Sequence, residues 1–305
     1  MTYQAIVDGD YALHRMAHSP ELAKLSTSSG MLTGGVFGSL RFVAATLSSY
    51  PVHRCIWVFG SGSSARRRAL LPAYRVRPKP ETEEEKLESE RYLDAYFTQK
   101  AALCKILPLL GVRVISVKAE ADDVISYISR TCRGVHMIVS DDKDFLAAVS
   151  DNVSVYRPMS GELIDSSNFL SYTSLPSPAH YLLLRAVVGD KSDCIPGVTG
   201  VGVGTATPMI LSLKDPTVQG LLEVAAATKG ARARKLAESA DVLSRNMSLM
   251  DTREEDITPD LVAEVERALT SSVRRNEEMA HEYLRRQLEF GHGCADLLAP
   301  FRVLA

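Results

Sequence analysis

Short apolar runs that stop at acidic residues recur along the first half of the chain. Residues 4–7 (QAIV) lean towards a strand and end at Asp8-Gly9-Asp10, ahead of an amphipathic stretch carrying Tyr11, Leu13 and Met16. Residues 54–59 (RCIWVF) predict a second strand, with Trp57 inside it as a core residue. Residues 112–117 predict a third, followed by Glu120-Ala121-Asp122-Asp123 at the start of a helix. Residues 136–140 predict a fourth, ending at Asp141-Asp142-Lys143-Asp144 before another short helix. Helical periodicity marks residues 36–48 and the long stretch 81–109, whose apolar face includes Leu87, Tyr92, Leu103 and Leu107. The glutamates that open this stretch suit the positive end of a helix and read as structural. Residues 153–164 predict a small hairpin with Gly161 in its turn. Beyond Pro176 the pattern is helical, over 180–188, 203–213, 221–227, 231–247 and 261–286. The expectation is an α/β first half around a mostly parallel central sheet and an almost all-α second half.

Charge refines this picture only locally. The formal net charge of −2 over 305 residues gives no hint of a polyanion partner, so such a surface must come from segregated charge. The clearest segregation is Arg66, Arg67 and Arg68, continued by Arg75, Arg77 and Lys79 around Pro72 and Tyr74. These cations could line a path for phosphates, and an ordinary solvated loop is the alternative. The five cysteines form no CxxC pair, which fits reduced thiols in a cytoplasmic compartment and neither disulfides nor zinc. No membrane span or leader is expected. His14, His18 and His180 lack a metal-ligand set and read as surface or packing residues.

Residues 187–206, VVGDKSDCIPGVTGVGVGTA, join two kinds of chemistry. Asp190 and Asp193 form a carboxylate pair at the end of an apolar helix pattern. Gly197, Gly200, Gly202 and Gly204 then let a turn and the next helix press backbone amides against a phosphate. With Asp8, Glu120, Asp122, Asp123, Asp142 and Asp144, the pair makes eight carboxylates, each after a strand or helix. In open α/β sheets ligands gather at the carboxyl ends of the strands. Eight gathered anions need cations, and an all-oxygen set selects Mg²⁺ or Mn²⁺ over zinc. Two such ions can activate a water and stabilise the leaving oxygen of a phosphodiester. Asp8-Gly9-Asp10 also resembles the nucleophile motif of haloacid-dehalogenase phosphatases, but the glycine hairpin and the acidic cluster at 120–123 have no place there. A PIN-domain ribonuclease would share the acidic core without needing that hairpin.

IVDGD, LLPAYRVRP, AEADDVIS, SDDKDF, GDKSDCIPGVTGVGVGTA and RNMSLMD occur here in one order over residues 4–250. Together they resemble the flap endonuclease and 5′-3′ exonuclease family, including the phage enzymes and the 5′ nuclease domain of bacterial DNA polymerase I. The resemblance implies a PIN-like core over 1–170 with a helical arch at about 63–87. It also implies a helical region over 171–305 carrying a helix-three-turn-helix at about 185–215. Asp8, Glu120 and Asp122 would fall on ligands of one metal ion, and Asp123, Asp142, Asp144, Asp190 and Asp193 on or beside those of a second. Tyr74 and Arg75 would stand at the arch's tyrosine-basic pair, with Arg75 in a catalytic role. Gly197, Gly200, Gly202, Gly204 and Thr205 would grip duplex DNA, with K⁺ held by nearby carbonyls. The implied protein is a monomer in a bacterial or phage-infected cell, acting on DNA with 5′ flaps, ends or junctions, and on RNA-DNA hybrid. One departure stands out: where the family has an aspartate after the second strand, this chain has Gly60-Ser61. Asp10 is the expected compensation, supplying an oxygen directly or through water. The alternative is a branched-DNA-binding protein with weakened or lost chemistry.

Overall fold

The structure, a computed structural model, describes residues 2–76, 78, 80–252, 257–291 and 294–304. Two members of the basic segment, Arg77 and Lys79, lie outside the described residues. The chain forms two compact units. The first comprises residues 1–62, 79–140 and 257–305, and the second residues 63–78 and 141–256. This partition differs from a single boundary at 170, because each unit is built from separated stretches of chain.

In the first unit, strands β1 (Tyr3–Asp8), β2 (Val52–Gly60), β3 (Arg113–Val117) and β4 (His136–Val139) lie in the order β3-β2-β1-β4, all parallel. Ile6, Ile56, Trp57, Val58 and Ile138 are fully buried, as continuous apolar strands covered by helices on both faces must be. The register pairs Val7 with Trp57 and Val139, and Asp8 with Val58. Asp8 thereby emerges at the carboxyl end of the central strand. Gly9–Ala17 follows at once as helix α1, and Gly34–Ser49 forms helix α2. The helix Glu83–Leu109 starts on a capping box between Thr82 and Glu85. Of the opening glutamates, Glu85 thus serves the helix end, and the backbone N–H groups of Glu81 and Thr82 hold its carboxyl below its ordinary range. Ala121–Thr131 follows β3 with Glu120 at its amino cap.

The carboxy-terminal segment belongs to this unit. Arg54 Nη2 donates to Leu269 O at 2.6 Å, and Asn276 N to Leu109 O at 2.9 Å. The single helix expected over 261–286 is two, Pro259–Thr270 and Glu277–Arg286. Ser271 is extended, and Asn276 restarts the second helix by accepting from Met279 N at 3.0 Å.

The second unit contains the hairpin Val153–Arg157 with Glu162–Ile164 and then helices. Gly161 turns that hairpin with φ +71°. Pro178–Val188 and Val203–Leu211 are joined through a two-residue ladder that pairs Gly189 with Pro196 and Asp190 with Ile195. The expected helix over 231–247 is also divided, into Ala231–Ala237 and Ala240–Met250. Leu183, Val187, Ala206, Ile210, Leu221 and Leu243 form the core of this unit. Among the described residues no helix is long and apolar enough to cross a membrane.

Candidate metal and nucleic-acid site

Asp8 ends β1 as a buried carboxylate of the first unit. It is 5 % exposed. Its Oδ1 accepts from Tyr11 N at 3.0 Å, which caps α1, and its Oδ2 accepts from the Ser140 hydroxyl at 3.0 Å. Burial, and then the charge of Asp122, push its carboxyl well above the ordinary carboxylate range, against the pull of the Tyr11 hydrogen bond. Glu120 and Asp123 are buried beside Asp122 at the start of Ala121–Thr131. The local reason is plain: β1 and β3 both end in parallel register and release their next residues at the same sheet edge. Among the described residues no three His, Cys, Asp or Glu side chains already form a metal cage. The donors of this unit nonetheless fit a hard divalent ion. They are all oxygens, and Asp8 carries an electrostatic burden that a nearby cation would relieve.

Gly60 ends β2, paired with Val117. A Cβ there would lie 2.6 Å from Ala119 O and 2.6 Å from Ala121 N. The backbone that presents Glu120 leaves no room for a side chain at Gly60. Asp10 engages this corner. Its Oδ2 accepts from Gly60 N at 2.6 Å, and its Oδ1 accepts from the Tyr96 hydroxyl and from Lys100 Nζ at 3.4 Å. Lys100 also donates to Gly60 O at 3.1 Å and lies 4.6 Å from the Phe59 ring centre. Both Asp10 oxygens thus already accept hydrogen bonds, and Asp10 clamps the end of β2.

In the second unit, Asp142 caps the 3₁₀ turn Lys143–Ala148, accepting from Asp144 N at 2.9 Å. Arg185, on Pro178–Val188, donates through Nη2 to Asp144 Oδ1 at 2.5 Å and to Asp190 Oδ2. Burial disfavours the Arg185 charge, but Asp144 and Asp190 outweigh it and raise its pKa. Asp190 Oδ1 accepts from Ser192 N at 2.6 Å. Although burial opposes it, hydrogen bonds from Ser192 and Arg185 hold the Asp190 carboxyl below its ordinary range. Asp193 Oδ1 accepts from Arg75 Nε at 2.9 Å, and Asp193 O accepts from Arg75 N at 3.0 Å.

The basic segment divides sharply. Arg67 is 2 % exposed and donates from Nε to Leu249 O at 3.0 Å. Tyr74 is 2 % exposed and packs with Leu182, Ile195, Leu249 and Met250. Arg66 Nη2 donates to Ser248 O at 3.0 Å, whereas Arg68 is exposed. The glycine hairpin divides too. Gly197 is a packing position, since a Cβ there would meet Val188 O at 2.2 Å. Gly200, Gly202 and Gly204 are exposed, with Gly200 at φ +79°, and Thr205 is half-buried in the first turn of Val203–Leu211. Among the described residues nothing lies within 4 Å of a Cβ built on Gly202 or Gly204, so their side of the helix amino end is open to a phosphate.

Sequence reasoning passed over Ser140, Lys100, Arg185 and Asn246. Asn246 is fully buried and donates from Nδ2 to Ala186 O at 2.8 Å and Pro196 O at 2.9 Å, fastening the ladder between the two hairpin helices. The only available signal for Arg185 was a lone cation within the apolar run LLLRAVV.

Comparison with known proteins accords with this arrangement. The family model described as 5′-3′ exonuclease, N-terminal resolvase-like domain, matches residues 4–173. A 5′-3′ exonuclease of Aquifex aeolicus is 31 % identical over 206 residues, 66 % of this chain and 66 % of that one. DNA polymerase I of Treponema pallidum is 28 % identical over 212 residues, 67 % of this chain but 20 % of the polymerase. The chain therefore spans about two thirds of the first relative's length and a fifth of the second's. In fold, it is similar to the T5 D15 protein co-crystallised with metal ions, with a TM-score of 0.68 at 21 % identity, covering 93 % of this chain and 99 % of that one. With more than half of its residues matched by that family model, the chain belongs to the 5′-3′ exonuclease family.

Proposed function

We propose that the protein is a divalent-metal-dependent 5′ nuclease that hydrolyses phosphodiester bonds of DNA at 5′ flaps, ends or junctions, in replication or repair. The observation that carries this reading is the buried Asp8 carboxyl, destabilised by Asp122 at the carboxyl end of a parallel sheet. Such a pair is costly unless a cation sits with it. Asp8, Glu120, Asp122 and Asp123 would hold the ion, for which Mg²⁺ or Mn²⁺ suits the oxygen donors. When bound, the ion supplies positive charge that acidifies a water and offsets charge developing on the phosphodiester. Ser140 and Tyr11 keep Asp8 turned to its task by occupying one lone pair on each oxygen. Backbone amides at Gly202 and Gly204 would meet phosphates of the duplex, with K⁺ at nearby carbonyls, and exposed Arg68 would add charge along the strand. RNA in a hybrid strand and a monomeric state belong to the same reading.

The test is cleavage of a 5′-labelled flap in Mg²⁺, beside an Asp8→Asn protein and an EDTA lane. Metal-dependent product that disappears in both controls is expected. A second reading, binding of branched DNA with weakened chemistry, is favoured by the closed backbone at Gly60. Tight binding of the flap without any metal-dependent product would establish that reading and sink the first.

A further inference from the structure

Three of the carboxylates expected at a second divalent ion, Asp144, Asp190 and Asp193, face arginines instead. Arg185 Nη2 donates to Asp144 Oδ1 at 2.5 Å and also to Asp190 Oδ2, so one nitrogen bridges two acidic side chains. The pairing is sheltered: the Arg185 side chain is 19 % exposed, Asp144 21 % and Asp190 14 %. The second oxygen of Asp190 is taken by Ser192 N at 2.6 Å and by the Ser192 hydroxyl. Asp193 Oδ1 is held by Arg75 Nε at 2.9 Å.

A divalent ion ligated by Asp144 and Asp190 needs their oxygens at about 2.0–2.6 Å. That is the space Nη2 already occupies. A lysine could yield by losing its proton, but a guanidinium keeps its charge and must be moved bodily. Displacing it would strip a largely buried cation of both partners, which sheltered ion pairs resist. The acidic set of this unit therefore does not fit a second divalent ion as it is arranged.

We propose that Arg185 is the resident cation of this carboxylate set, standing where a second divalent ion would otherwise bind, so that the protein takes up one divalent ion through Asp8 and Asp122. For that one ion the inference rests on the nuclease reading above; for Arg185 it rests on the Asp144–Arg185–Asp190 geometry. A cation covalently part of the chain cannot be diluted away. The Mg²⁺ dependence of the protein then follows a single binding step.

The test counts Mn²⁺ bound to the full chain by the electron paramagnetic resonance signal of the free ion. Wild-type protein should bind one ion, Asp122→Asn should lose it, and Asp144→Asn should leave the count at one. Arg185→Met should add a second ion, and Arg185→Lys should hold the count at one. Two ions in the wild type, one of them lost in Asp144→Asn, would overturn the proposal. If Arg185→Met fails to fold, the wild-type and Asp144→Asn counts still decide. A wild type that binds no Mn²⁺ would instead sink the metal-dependent reading itself, a distinct outcome.

Discussion

Placing an aspartate at Gly60 should damage the protein. The position ends β2, and a Cβ there would lie 2.6 Å from Ala119 O and 2.6 Å from Ala121 N. Both are backbone atoms, so no side chain can swing aside. Ordinary van der Waals contact begins near 3.4 Å, so the 119–121 segment would have to retreat by roughly 0.8 Å, and forced overpacking of this kind typically costs about 1–3 kcal/mol. At about 2–4 °C per kcal/mol for a chain of this class, the melting temperature should fall by roughly 2–12 °C. The retreat also moves Glu120 and Asp122, which this segment carries into the site, so Mn²⁺ affinity should not improve. Thermal unfolding in EDTA, followed by circular dichroism, reads the first effect, and Mn²⁺ titration the second. Gly60→Ala separates the two causes: it adds the Cβ without the charge and should reproduce most of the loss. A Gly60→Asp protein that melts with the wild type and binds Mn²⁺ more tightly would refute the reasoning.

Three further outcomes are expected. Asp8→Asn should stabilise the metal-free protein at neutral pH by about 0.5–2 kcal/mol, in the range of substitutions that relieve a strained functional site. Because the folded-state pKa of Asp8 is raised, the native state holds that proton more tightly than the unfolded chain does. Its destabilising effect is therefore full above the raised value and fades as pH falls towards the ordinary carboxylate value. Urea melts of both proteins across pH should show the gap closing on acidification, and a gap that widens would contradict the sign. Asn246→Ala leaves Ala186 O and Pro196 O without their buried donor. It should cost about 1–3 kcal/mol, and an unmoved denaturation midpoint would count against that role. Arg68→Ala should weaken flap binding and lower the slope of log affinity against log salt by about one, as read by fluorescence anisotropy, whereas an unchanged slope would remove Arg68 from the phosphate path.

The strands and the acidic ends of β1, β3 and β4 were legible from sequence because both signals are local. A continuous apolar run encodes a doubly covered parallel strand, and the residue after it must emerge at the sheet edge whatever else happens. Glycine punctuation at 197–204 was equally local. Helix breaks were not. Apolar periodicity runs through 238–239 and 271–276, and the second break is made by the Asn276 cap and by the tie of Asn276 to distant Leu109. Arg67 and Arg68 are identical neighbours, yet one is buried on Leu249 O and the other is exposed, since which side a short helix turns inward depends on what packs against it. The sequence by itself determined the strand ends, the carboxylates that follow them and the glycine that ends β2. Tertiary structure alone decided that backbone fills that corner and that Arg185 meets Asp144 and Asp190. Gly60 against 119–121 and Arg185 against Asp144 join residues far apart in the chain, and the burial that makes these contacts matter exists only once the chain has folded.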